Sequence, residues 1–265
     1  MSDPESSDVT PKVRAWYNLV ADSFLGRYEG DQAWYLARCE EDLVHALLPL
    51  SGCRVLDLGT GGGRLLPRLS AVAREVIAAD LSEALLARAP RLPNVRLTQM
   101  NALELGFPAR TFDVVVSLGL CEYLSDLTGF LHEAQRVLTP GGVLAFTYHQ
   151  LSAWRSPVVE APETPYFGRT VAERSLYWQK QRHRRSEVLT ALAHAGFHGA
   201  RPHRVFFRAS AALEGLALSM PPDGPGRRVA RLGAVATEAS LARTLRPVTQ
   251  HLTGNVLMVA RSKAV

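Results

Sequence analysis

The sequence has no long hydrophobic run and very few cysteines. No apolar stretch among its 265 residues approaches the ~18 residues that a membrane-spanning helix needs. The first ten residues, MSDPESSDVT, lack the basic-then-apolar order of a signal peptide. The three cysteines have unrelated spacings, which excludes a disulfide framework and a zinc ligand set. We therefore expect a protein of the reducing cytoplasm with no membrane segment.

Metal-binding patterns are also missing from the sequence. Among the eight histidines only His194 and His198 have H-x-x-x-H spacing, and no carboxylate cluster at ligand spacing accompanies them. Apolar residues make up 47% of the chain and charged residues 21%, which is close to the globular average and excludes a disordered or fibrous protein. We expect a globular protein without a metal ion.

Lysine is scarce, and charge is unevenly distributed. Of the 30 basic residues only three are lysines. Residues 1–150 contain 13 Lys and Arg against 18 Asp and Glu, a net −5, whereas residues 151–265 contain 17 against 7, a net +10. A basic second half suits nucleic acid, an anionic substrate or an acidic partner. Preference for arginine codons in a GC-rich genome accounts for it equally well.

Short apolar segments alternate with helical segments from Arg54 onward. Alternation of this kind predicts an α/β fold, with a parallel sheet covered by helices on both faces. Ligands of such sheets bind beyond the carboxyl ends of the strands. The predicted strands are 54–58, 75–80, 95–99, 112–117, 143–148, 203–208 and 255–261; the predicted helices are 31–50, 65–73, 82–88, 127–138 and 186–195.

A glycine-rich loop follows the first predicted strand. It reads Asp57-Leu58-Gly59-Thr60-Gly61-Gly62-Gly63, and glycines allow the backbone to turn tightly and to approach a ligand closely. The dinucleotide pattern G-x-G-x-x-G fails, because Arg64 or Leu66 stands where the third glycine is needed. The P-loop also fails, because Gly63 is followed by Arg64-Leu65 and not by Lys and Ser or Thr. A carboxylate beside the loop suits a ligand that carries an ammonium group.

The segment from Val55 to Gly63 resembles the first motif of the class I S-adenosylmethionine-dependent methyltransferases, specifically their small-molecule branch (methyltransferase types 11 and 25). Asp80 at the end of the second strand resembles the family's ribose-binding position. Three later segments also resemble family motifs in the right order: Met100-Asn101-Ala102, Phe112 to Ser117, and Glu133 to Gly142. The family often has Asp where Asn101 stands, but an amide oxygen can also accept a hydrogen bond from adenine.

This resemblance implies a Rossmann-like, doubly wound, seven-stranded and mostly parallel sheet. It implies S-adenosylmethionine as cofactor, S-adenosylhomocysteine as product, and no metal. Residues 1–50 would form an N-terminal helical lid and residues 51–150 the cofactor-binding core. Residues 151–265 would complete the same domain with the last two strands and with substrate-pocket insertions at 151–180, which is rich in aromatic residues, and 211–250. The implied cofactor-binding residues are Tyr17, Asp57, Gly59, Thr60, Gly61, Gly63, Asp80, Leu81, Asn101, Ala102 and Leu118.

Two residues are candidates for catalysis because they follow the fourth and fifth strands. Tyr123 could orient an acceptor hydroxyl, although its normal pKa of ~10 makes it a poor base. His149 could act as a general base. The alternative for Tyr123 is packing over the cofactor, and the alternative for His149 is a polar position on the rim.

The resemblance implies methyl transfer to O, N or C of a small acceptor. We interpret that acceptor as an anionic or aromatic natural-product intermediate. Two alternatives remain: an RNA methyltransferase that uses the basic half, and a cofactor-binding protein without methyl transfer. Cys121 lacks the neighbouring proline of cytosine-C5 enzymes, and no Pro-Pro-aromatic turn follows the fourth strand. These absences argue against cytosine-C5 and adenine-N6-type nucleic-acid acceptors, though not against every RNA enzyme. The sequence sets neither the methylated atom nor the oligomeric state.

Overall fold

The computed structural model of the chain describes residues 10–30, 34–124, 126–150, 181–204 and 255–263. Seven strands form one sheet, and the described helices come before and between them in the chain. The strands are β1 (Arg54–Leu58), β2 (Glu75–Asp80), β3 (Val95–Gln99), β4 (Phe112–Ser117), β5 (Leu138–His149), β6 (Phe197–Arg204) and β7 (Asn255–Ser262). The helices are α1 (Thr10–Leu19), α2 (Ala21–Gly30), α3 (Trp34–Leu47), α4 (Leu66–Val72), α5 (Glu83–Leu86), α6 (Leu127–Val137) and α7 (Arg185–His194), with a 3₁₀ helix at Cys121–Tyr123.

The strand order in the sheet is β3-β2-β1-β4-β5-β7-β6. The first five strands are parallel to one another, whereas β7 is inserted between β5 and β6 and runs antiparallel to both. The predicted α/β fold with a seven-stranded, mostly parallel sheet is therefore confirmed. The strand order reverses direction between β1 and β4, and ligands of open α/β sheets bind in the crevice at such a switch point.

Alternate residues of the central strands point into two separate cores. In β4, Val115 belongs to one buried cluster with α6 and α7, whereas Val114 and Val116 belong to a second cluster with α3 and α4. All three valines are fully buried, as expected for a parallel strand that is covered on both faces. The sheet thus has helices packed on each of its faces.

The largest correction to the predicted elements concerns β5. Pro140-Gly141-Gly142 was expected to separate a helix from a strand that starts at Val143, but β5 begins at Leu138 and includes these residues. Its pairing with β4 shifts register between Phe112 and Val114, and Gly141 takes a φ of +77°. This irregularity lets a strand continue through residues that usually end one.

Smaller differences occur at other element ends. The helix predicted for 82–88 covers only Glu83–Leu86, although Ser82 is its N-cap as expected. The strand predicted for 203–208 begins earlier, at Phe197, and its last four residues lie outside the described residues. The proposed insertions 151–180 and 211–250 also lie outside them. In the part of the chain that is described, no helix is long and apolar enough to cross a bilayer.

Candidate functional site

The glycine loop connects β1 to α4 at the switch point of the sheet. Gly61 has a φ of +57° and Gly63 a φ of +78°, a region that residues with a Cβ rarely adopt. A Cβ on Gly63 would lie 2.7 Å from the side chain of Leu66 and 2.9 Å from that of Pro90. The loop therefore requires glycine at position 63 for its backbone conformation and for its packing.

Asp80, at the end of β2, is bonded to the glycine loop. Its Oδ2 accepts a hydrogen bond of 2.7 Å from the Gly61 N–H, and its Oδ1 accepts one of 2.9 Å from the Ser82 N–H. Burial raises the pKa of Asp80, and the backbone N–H donors partly offset that rise. The carboxylate lies on the wall of a cavity, where its remaining lone pairs can accept further hydrogen bonds.

Asp57 lies beneath the loop and does not line the cavity. It is buried, and its Oδ2 accepts a hydrogen bond of 2.7 Å from the Thr60 hydroxyl. Burial raises the pKa of Asp57 to about 6. Its visible role is to hold the loop from below, whereas direct contact with an ammonium group stays a prediction.

A cavity of about 550 Å³ lies above the carboxyl ends of β1, β2 and β4, within the range of small-molecule sites. The structure brings most of the predicted site residues to its wall, whereas Asp57 and Gly63 do not line it. The predicted residues on the wall are Tyr17, Gly59, Thr60, Gly61, Asp80, Leu81, Asn101, Ala102, Leu118, Tyr123 and His149.

Asn101 forms one side of this cavity but already has a local partner. Its Oδ1 accepts a hydrogen bond of 3.1 Å from the Leu103 N–H, as is common for Asn at a turn. A carbonyl oxygen has two lone pairs, so one remains for a ligand. Ala102 beside it is buried.

Helices α1 and α2 cover the cavity from the N-terminal side. Tyr17 packs edge-to-face on Phe24 with ring centroids 5.0 Å apart, and on Tyr123 at 5.5 Å. The Oδ1 of Asn18 accepts a hydrogen bond of 2.6 Å from the Ser82 hydroxyl. These contacts join the N-terminal helices to the ends of β2 and β4, across the mouth of the cavity.

Two buried carboxylates line the same cavity, and sequence reasoning missed both. Glu40, on α3, forms an ion pair with Arg64, and burial raises the pKa of Glu40. The Oε2 of Glu122 lies 2.6 Å from the Nε2 of His149. Glu122 directly precedes the candidate Tyr123, so its position after β4 was a usable signal; nothing in the amphipathic pattern of α3 distinguishes Glu40.

Tyr123 and His149 are joined through Glu122. The Tyr123 hydroxyl is hydrogen-bonded to the Glu122 carboxylate and to Tyr17, and burial raises the pKa of Tyr123 well above its usual value. The ionised phenolate is thereby disfavoured, which leaves Tyr123 as a hydrogen-bonding group. The arrangement can orient a ligand through Tyr123 and accept a proton at His149.

The remaining candidate chemistries find no support in the geometry of the described residues. Cys121 is fully buried, and burial raises the pKa of its thiol, so it packs in the core. Among residues 10–30, 34–124, 126–150, 181–204 and 255–263, no group of three or more His, Cys, Asp and Glu side chains could hold a metal ion.

Comparisons with known proteins agree with this geometry. Residues 56–146 match the family described as a methyltransferase domain. A probable S-adenosylmethionine-dependent methyltransferase of Mycobacterium tuberculosis is 30% identical over 168 residues, which cover 63% of this chain and 59% of the relative. The aklanonic acid methyltransferase DauC of a Streptomyces species is 32% identical over 140 residues, covering 49% and 64%. The chain therefore spans less than two thirds of the length of these relatives.

The fold is also shared with solved structures. The cyclase SpnF superimposes with a TM-score of 0.65 at 20% sequence identity, covering 97% of each chain. At this identity the likeness concerns the fold alone.

Proposed function

Because this chain belongs to the class I S-adenosylmethionine-dependent methyltransferases, we propose that it transfers the methyl group of S-adenosylmethionine to O, N or C of a small organic acceptor. The observation that carries the proposal is the cavity at the switch point, in which the glycine loop and the Asp80 carboxylate face the same space. The match to an aklanonic acid methyltransferase supports a small organic acceptor, and a natural-product intermediate is our preferred class.

The residues of the cavity fit the cofactor of this family. The backbone of Gly59–Gly61 lines the cavity and would face the methionine part of the cofactor. Asp80 would accept hydrogen bonds from the ribose hydroxyls, which are strong when the acceptor is charged. The free lone pair of Asn101 would accept one from the adenine amino group. Leu81, Ala102 and Leu118, which line the cavity, would supply apolar walls for the adenine ring.

The bound cofactor would supply a methyl group on a sulfonium, which leaves as a neutral thioether. The protein would then align the acceptor, exclude water and accept a proton where the acceptor carries one. Tyr17 and Phe24 on the lid would close the mouth of the cavity. Tyr123 would orient the acceptor, and His149 would take its proton.

Calorimetry with S-adenosylmethionine tests the cofactor site, with Asp80→Asn as the main variant. We expect this change to weaken binding by about 10- to 100-fold, because it removes the charge from hydrogen bonds worth about 1.5 to 3 kcal/mol each. Asp126→Asn is the matched control. Asp126 also accepts a hydrogen bond from a backbone N–H, that of Gly129, but it does not line the cavity. Equal affinities of all three proteins would refute the assignment of the site.

A panel of phenols, enols, amines and carboxylic acids tests the transfer itself. We expect S-adenosylhomocysteine, detected by mass spectrometry, to form in step with one methylated acceptor. Tight cofactor binding with no S-adenosylhomocysteine from any acceptor would contradict methyl transfer and favour a cofactor-binding protein that does not methylate.

A further inference from the structure

The pair formed by Glu122 and His149 lies at the point where the ends of β4 and β5 meet the cavity. Three hydrogen bonds donated by backbone N–H groups hold this region. The Gly119 N–H donates to the Thr147 hydroxyl over 2.7 Å, the Gln181 N–H donates to the Glu122 carbonyl over 2.7 Å, and the His183 N–H donates to the His149 carbonyl over 3.0 Å. The two side chains are therefore presented to each other by main chains that are themselves held in place.

The carboxylate of Glu122 decides where the imidazole of His149 carries its hydrogen. An ionised carboxylate only accepts hydrogen bonds, so the nitrogen 2.6 Å from it, Nε2, must be the donor. A neutral imidazole with hydrogen on Nε2 has its lone pair on Nδ1. No described residue hydrogen-bonds Nδ1, and His149 lines the cavity with 28% of its side chain exposed.

We propose that Glu122 is a positioning residue, which fixes the hydrogen of His149 on Nε2 and makes Nδ1 the base for an acceptor that loses a proton from oxygen or nitrogen. This inference rests on the proposed methyl transfer and narrows its acceptor. As the acceptor's electron pair forms the bond to the methyl carbon, the carbon–sulfur bond of the sulfonium breaks and its electrons stay on sulfur. The acceptor's proton moves to Nδ1, and the Glu122 carboxylate stabilises the imidazolium.

Other charged and titratable groups around the pair are consistent with this role. Tyr123 donates its hydroxyl hydrogen to Glu122 and is also bonded to Tyr17 on α1, so the lid is connected to the carboxylate. Glu40, on α3, interacts electrostatically with both Glu122 and His149 and is paired with Arg64. The Glu122 carboxylate thus faces both the Tyr123 hydroxyl and the Nε2 of His149.

Nitrogen NMR of the full-length protein, labelled with ¹⁵N in its histidine rings, tests the proposal without any acceptor. His149→Gln assigns the resonances. We expect wild-type His149 to show one neutral tautomer with hydrogen on Nε2, and Glu122→Ala to show both tautomers. Tyr123→Phe keeps the Glu122–His149 contact and is expected to keep the single tautomer. The exposed His45 and His194 serve as internal references, whose signals should not change.

Hydrogen on Nδ1 in the wild type, or an unchanged tautomer in Glu122→Ala, would overturn the proposal. If Glu122→Ala does not fold, we expect Glu122→Asp to show both tautomers of His149, because the aspartate carboxylate is one methylene too short to reach Nε2. With an acceptor from the panel, Glu122→Ala should lower kcat by about 100-fold with cofactor affinity unchanged within twofold. An unchanged kcat would refute the role of His149 as the base. A wild type that binds no S-adenosylmethionine would instead refute the proposed function, while the NMR result on the tautomer of His149 would still stand.

Discussion

Gly63 is the residue of the loop whose replacement we expect to disturb the protein most. Gly63→Ala combines a φ of +78° with collisions of its Cβ against Leu66 and Pro90, so strain and overpacking should together cost about 2 to 4 kcal/mol of unfolding free energy. Gly141→Ala is the matched control, since its φ of +77° is similar and nothing lies within 4 Å of its Cβ. Urea unfolding measures both. Equal losses would show that packing at position 63 contributes nothing.

Asp57 makes stability depend on pH, since burial raises the pKa of this carboxyl from 3.8 to about 6. A group with a raised folded-state pKa favours the folded state fully below its unfolded pKa, and that contribution is lost as pH rises through about 6. We therefore expect the wild type to gain about 1 kcal/mol relative to Asp57→Asn when the pH falls from 7.5 to 5. Urea unfolding of both proteins at the two pH values tests this. A difference that is constant with pH would contradict it.

Single residues differ in how readily the sequence predicts them. The glycine loop and Asp80 could be predicted because a short motif carries them, and their neighbours in sequence are also their neighbours in space. Glu40 could not be predicted, because its partner Arg64 is 24 positions away and the contact exists only after α3 packs on the loop. Glu122 was adjacent to a predicted residue, but its pairing with His149 depends on how the ends of β4 and β5 meet.

At the scale of elements, α3 is attached to the glycine loop by buried charge. Glu40 has a side-chain exposure of 6% and Arg64 of 22%, so the pair is largely shielded from water. Arg64→Leu leaves the Glu40 carboxylate without its cation in a buried place, which we expect to cost about 2 kcal/mol of unfolding free energy. Adding Glu40→Gln should recover most of the loss, because the unpaired charge is then gone. Urea unfolding of the single and double variants measures both effects.

The ion pair between Arg88 and Asp22 is the control for that prediction. It also connects an N-terminal helix to the core, but its side chains are 36% and 83% exposed, and exposed pairs contribute little. Arg88→Leu should therefore change stability only slightly. If it cost as much as Arg64→Leu, burial would not be the reason for the importance of Arg64.

Elements were predictable where hydrophobic pattern and turn residues agree, as in β1, β2, β3 and β4, whose predicted bounds match the structure. The start of β5 was wrong because Pro140, Gly141 and Gly142 indicate a break, and only pairing with β4 across a register shift shows that the strand continues. Phe197 was missed as the start of β6, since the segment after it is polar and contains Gly199 and Pro202. Strand pairing with β7 overrides that local signal.

For the whole molecule, the distribution of charge separates the two halves of the chain. Alternation of strands and helices predicted the fold class, and family resemblance implied seven strands in a mostly parallel sheet. The strand order and the antiparallel direction of β7 come from the structure alone. The carboxylates of Asp80, Glu40 and Glu122 line the cavity, and all three belong to the acidic half. The net charge of +10 in residues 151–265 is therefore not the charge of the described cavity walls.

This separation of charge predicts how RNA binds to the protein. RNA would be the methyl acceptor if the basic half were a nucleic-acid binding surface. We expect transfer RNA to bind only through its phosphates, so that its affinity falls at least about tenfold between 50 and 200 mM salt. The affinity for S-adenosylmethionine should change less than twofold over the same range, because the cofactor would be held by hydrogen bonds inside a cavity. Filter binding and calorimetry measure the two affinities. Binding of RNA that resists salt, together with methyl groups recovered in the RNA, would show that the acceptor is a nucleic acid and not a small molecule.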